Sequence, residues 1–100
     1  SPPRSKHEAE KPYQSRLSEA KERRTQAELG RKKMRETLAA SKVEVGRFVE
    51  KYGKYFMVRW KELGNGPALQ FYNEAITTAP ESEAARVAEK KVAKLRASDE

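Results

Sequence analysis

Seven cations fall within fifteen residues of this 100-residue chain: Lys21, Arg23, Arg24, Arg31, Lys32, Lys33 and Arg35. On a helix they spread around much of the circumference, an arrangement suited to threading between phosphate backbones. Glu19, Glu22, Glu28 and Glu36 are interspersed with them, so an ordinary solvated face explains the same residues. An acidic protein surface would also satisfy such a helix. The chain has no RNP motif, KH loop or base-reading helix pattern, so any contact with RNA would be directed at the backbone and would weaken with salt.

Little else offers chemistry. His7 is the only histidine and lies between prolines, Asp99 is the only aspartate and lies at the tail, and cysteine is absent. Thiolate chemistry, disulfides and cysteine metal sites are therefore excluded. No His-x-x-x-His, Cys-x-x-Cys or aspartate-rich calcium loop occurs. Gly64-Asn65-Gly66-Pro67 precedes a helix, where a phosphate can be held. It lacks the Lys-Ser/Thr of a phosphate-binding loop and has no strand before it, so it reads as a turn. Ser41 has no base partner. No catalytic, cofactor-binding or metal-ligating residue is assigned, and neither a cofactor nor a small-molecule substrate is expected.

The elements that position the cations are helices, and the fold class expected is all-α. Pro2, Pro3 and Pro12 mark residues 1–12 as an extended arm. Residues 13–40 are rich in helix formers, and their sparse apolar residues keep a 4-3-4 rhythm: Tyr13, Leu17, Ala20, Ala27, Met34 and Leu38. Arg24 and Arg31 interrupt that stripe, which makes it a poor self-associating coiled coil. Ser41 and Glu44 form a capping box, compatible either with a second helix starting at Lys42 or with one longer helix. Beyond it Val45, Phe48, Val49, Tyr52, Phe56, Trp60 and Leu63 recur at three- and four-residue steps, the pattern expected of the core.

Tyr55 and Met57 fall off that stripe and are candidates for a protein–protein contact. Gly46 and Gly53, seven apart, are either tolerated helix glycines or a face that admits another helix closely. Residues 41–100 form a small helical unit. Within it a third helix runs from Pro67 to Thr78, burying Ala68, Leu69, Tyr72, Ala75 and Ile76. After Pro80 a fourth spans residues 81–95, with Ala84, Val87, Ala88, Val92 and Leu95 inward. Arg86, Lys90 and Lys94 on its outer face are further candidates for protein contact.

Trp60, Leu63 and Gly64, followed by Ala68, Tyr72, Ala75 and Pro80, resemble the tetratricopeptide repeat family. The resemblance covers about a third of the chain and implies a helical hairpin: small alanines let helices approach, the tyrosine fills the gap, and the proline stops the helix. It departs from the family in that only seven residues separate Trp60 from Ala68, so Trp60 closes a helix instead of opening one. A single hairpin of this kind is too short for the peptide groove of such arrays.

The net charge is +7, the pI about 9.8 and the mean hydropathy -1.01, which favours an acidic partner. Residues 1–40 carry 11 bases and 6 acids against 11 and 9 in residues 41–100. No run of apolar residues is long enough to span a membrane. The expectation is a non-catalytic structural subunit of a larger assembly, a ribonucleoprotein such as an organellar ribosome. The alternative is an accessory scaffold subunit of a respiratory or ATP-synthase complex, or a filament-associated protein, with no nucleic-acid contact. A start at serine fits removal of a targeting peptide, which places the protein in an organelle matrix, mitochondrial before plastid, or else in the cytoplasm.

Overall fold

The computed structural model describes the backbone of residues 6–56 and 59–98 and the side chains of residues 11–56 and 59–98. The described residues hold four helices: α1 (Lys6–Phe56), α2 (Trp60–Leu63), α3 (Gly66–Thr78) and α4 (Glu83–Ser98). The protein is all-α. The chain divides into two units, Ser1–Arg31 and Lys32–Glu100.

In the first unit the described side chains of α1 are exposed, with Ala20 alone half-buried. Residues 6–12, expected as part of an extended arm, are instead the first turns of α1, and Pro12 sits inside the helix. Proline in a helix interior removes a backbone donor and crowds the carbonyl four residues back, at a cost of about 3 kcal/mol. Helix formers on both sides, Glu8 to Lys11 and Gln14 to Leu17, carry the helix through it. Residues 1–5 of the expected arm lie outside the described residues.

The second unit contains the core. α1 continues unbroken through Ser41 and Glu44. Ser41 is exposed, and Glu44 accepts a hydrogen bond from Arg47 at 2.9 Å instead of closing a cap. With no glycine or proline at residues 36–45, one long helix wins over two short ones. The turn after α2 is made by Gly64, whose φ of +52° lies in the left-handed region that favours glycine. Its N–H donates to the Trp60 carbonyl at 2.8 Å. Pro67 lies in the first turn of α3, as its missing N–H requires. Ser82 caps α4: its Oγ accepts the Ala85 N–H at 3.1 Å and donates to the Ala79 carbonyl at 2.6 Å.

The core is made of small residues. Ala39, Val43 and Val49 of α1 meet Ala68, Tyr72 and Ala75 of α3 and Ala88, Val92 and Leu95 of α4, with Ala79 between the two. Leu69, Phe71, Ile76, Ala84 and Val87 pack around it, half-buried. The expected inward faces of α3 and α4 are therefore the observed ones, with Ala85 in addition.

The expected inward face of α1 is not. Val45, Phe48, Tyr52 and Phe56 of α1 and Leu63 of α2 are exposed, by 40% or more, Trp60 is half-buried, and of that stripe only Val49 is buried. Side-chain size pointed to the wrong face, because α3 approaches α1 too closely to leave room for rings on both sides. Gly46 is the point of approach: a Cβ there would lie 2.7 Å from Cε1 of Tyr72. The fully buried Tyr72 ring fills the space that the glycine leaves, and Gly53, seven residues on, is buried as well.

Candidate functional site

The seven cations do not form one cluster. Lys21, Arg23, Arg24 and Arg31 belong to the first unit. All four are exposed, and none lies within ion-pair distance of a described carboxylate. At about 100° per residue, Arg24 and Arg31 lie about 20° apart on the helix, with Lys21 and Arg23 about 80° from Arg31 on opposite sides.

Lys32, Lys33 and Arg35 belong to the second unit. Lys32 is 4.0 Å from Glu36 on the next turn, and Arg35 reaches Glu81 ahead of α4 at 3.4 Å. Both are partly exposed pairs of the kind worth about 0–1 kcal/mol, and they tie part of the basic run to the fold itself. Lys33 points to solvent without a described carboxylate partner.

Among the described residues, ionisable groups of α1, α3 and α4 meet at Glu50. Glu50 of α1 accepts a hydrogen bond from the Tyr72 hydroxyl of α3 at 2.6 Å and another from Lys91 of α4 at 3.3 Å, both through Oε2. One carboxylate oxygen thus joins all three helices of the core. Partial burial opposes ionisation of Glu50. The hydrogen bonds from Tyr72 and Lys91 and the charges of Lys91 and Lys94 outweigh it and hold the carboxyl below its ordinary range. Burial, and then the hydrogen bond to Glu50, push the Tyr72 hydroxyl well above the usual phenol range. A tyrosine held neutral and fully enclosed is no nucleophile, so this triad is a structural tie.

About two turns earlier along α1, that helix and α3 leave a groove lined by Leu38 and Lys42 on one side and Gln70, Asn73, Glu74 and Thr77 on the other. Lys42 and Glu74 close its floor with an ion pair at 3.0 Å. That hydrogen bond, followed by one from Gln70, lowers the pKa of Glu74.

Tyr55 is exposed on α1, whereas Met57 lies outside the described residues, as does the side chain of His7. Arg86, Lys90 and Lys94 are exposed on α4, Arg86 being paired with Glu83 at 3.0 Å. Among the described residues no group of His, Asp or Glu is arranged to hold a metal ion, and no helix is long and apolar enough to cross a membrane.

The surface that the sequence pattern missed is the row Phe48, Tyr52 and Phe56. Its rings pack on one another, with centroids 5.2 Å apart for Phe48–Tyr52 and 5.6 Å for Phe48–Phe56. The signal that could have found it was the small-residue face of Ala39, Gly46 and Gly53, which claims the inward side of α1. No protein-family model matches the chain, and no curated protein and no solved structure is significantly similar to it.

Proposed function

We propose that this protein is a non-catalytic structural subunit of a large ribonucleoprotein, such as an organellar ribosome, and that the basic part of α1 lies against RNA phosphates. The observation that carries this reading is the set Lys21, Arg23, Arg24 and Arg31, exposed and without carboxylate partners among the described residues. Cations that the fold does not use are free to displace counterions from a polyanion. The α3–α4 hairpin, with its repeat-like alanine and tyrosine spacing, serves in this reading to hold the other half of α1 and not to bind a peptide.

If each of the four cations meets one phosphate, log affinity for single-stranded RNA should fall against log salt with a slope of about 3. The test is ultraviolet crosslinking to RNA in native particles, comparing the wild type with a variant carrying Lys21→Glu, Arg23→Glu, Arg24→Glu and Arg31→Glu. These positions lie outside the core, so the variant should keep its melting midpoint and lose its crosslinks. Unchanged crosslinks, or none in the wild type, would overturn the reading.

The exposed aromatic row favours a second reading, a scaffold subunit of a purely protein assembly such as a respiratory or ATP-synthase complex or a filament. Co-sedimentation with a large particle that RNase leaves intact would establish it over the first.

A further inference from the structure

Within the unit Lys32–Glu100, α1 has a second apolar face that is exposed among the described residues. Met34, Leu38, Val45, Phe48 and Tyr52 are each at least 40% exposed. With Ser41 filling the one gap, they follow the 4-3-4-3-4 spacing of a coiled-coil seam. The seam is centred about 110° around the helix from the face that holds α3 and α4, so the hairpin borders it only at Leu38, which also lines the groove against α3. Five apolar side chains left in water along one line are a contact surface without its other half.

We infer that this seam is the docking site for one amphipathic helix of a partner protein whose flanking residues are acidic. The heptad spacing selects a helix, because knobs at four- and three-residue steps fit only between the turns of another helix. From Met34 to Tyr52 the seam runs about 27 Å, nearly three heptads of partner.

Charge selects the kind of helix. On the edge nearer α4, Glu44 is already neutralised by Arg47. Lys33 and Lys51 meet no described carboxylate, and the Lys51 ammonium rests 5.2 Å from the centre of the Tyr52 ring. On the other edge Lys42 is occupied by Glu74. The uncompensated charge beside the seam is therefore positive.

A parallel second copy of this chain supplies no complement: Thr37, Glu44 and Lys51 would face Lys42, Val49 and Phe56, with no opposite charges opposed, and Val49 is already buried in its own core. An antiparallel copy sets Glu44 against Lys51 only by drawing Glu44 from Arg47. This inference goes beyond the proposed function, since it concerns a protein partner and uses none of the four cations assigned to RNA.

The test uses the full chain and two labelled three-heptad peptides with leucine at seam positions, one flanked by glutamate and its twin by lysine. Fluorescence anisotropy should show the glutamate peptide binding at least about tenfold more tightly than the lysine peptide. Phe48→Asp with Tyr52→Asp should weaken it by at least about tenfold. Circular dichroism verifies that this variant stays folded, and Phe48→Gln with Tyr52→Gln is the milder substitute. The Lys21/Arg23/Arg24/Arg31 variant should bind the glutamate peptide normally, so failure of the RNA reading leaves this one standing. Equal binding of the two peptides, indifference to both seam variants, release of the peptide by a ribo-oligonucleotide, or a dimer that Phe48→Asp dissolves would each overturn the inference.

Discussion

Replacing Gly46 with alanine sets two opposed effects against each other, and the structure says which prevails. Alanine in place of glycine inside a helix is ordinarily favourable by about 1 kcal/mol, because it restricts the unfolded backbone. Here the new methyl would lie 2.7, 2.9 and 3.1 Å from Cε1, Cδ1 and Cζ of Tyr72, where carbon atoms prefer about 3.5–4.0 Å. The ring has nowhere to go: it is fully buried and its hydroxyl is bound to Glu50. α1 and α3 must then part by several tenths of an ångström, an overpacking cost of about 1–3 kcal/mol.

The expected net result is a loss of about 1 kcal/mol, or about 4–8 °C in melting midpoint for a domain of this size. Thermal and urea melts followed by circular dichroism would measure it. Two controls make it specific. Gly30→Ala, with nothing within 4 Å of its Cβ, should raise the helical signal. In a Tyr72→Leu background Gly46→Ala should become favourable, a change of sign that a double-mutant cycle reads directly. If Gly46→Ala raises the midpoint of the wild type, the close approach at this position is wrong.

Three further outcomes follow from the same core. Tyr72→Phe keeps the ring and deletes the donor to Glu50, and should cost about 1.5 kcal/mol in a urea melt, the low end for a bond to a charged group, since Lys91 remains. The lowered pKa of Glu50 means that the unfolded chain holds more protons below its own carboxyl pKa of about 4.3. Its contribution to stability is thus present above that pH and lost as pH falls through the folded value, and Glu50→Gln should flatten this acid limb of the stability curve. Ser82→Ala deletes the cap on α4 and should cost about 1 kcal/mol by the same melt, with Ser82→Thr retaining most of the stability.

The punctuation of the carboxy-terminal half was legible because single residues decide it. The positive φ of Gly64 and the missing donor of Pro67 delimit α3 whatever surrounds them. The apolar rows of α3 and α4 were legible because each of those helices has only one. α1 was misread because it has two, and the larger side chains lie on the face without a partner. Tyr72 shows why the smaller face won: its ring needs Gly46 opposite it, and no pattern of hydrophobicity registers a glycine as a contact. The basic run was legible as a run but not as two groups, since the pairing of Arg35 with Glu81 bridges 46 residues of sequence.

Among the described residues, six of the eleven buried apolar side chains are alanines, and this reverses the usual direction of mutational damage. Most cores are harmed by truncation, which opens cavities. Here Ala39, Ala68, Ala75, Ala79, Ala85 and Ala88 have almost nothing to truncate, and nearly every replacement adds volume where helices touch. Harmful substitutions in this protein should therefore be mainly enlargements, with truncation damage confined to Val43, Val49, Tyr72, Val92 and Leu95.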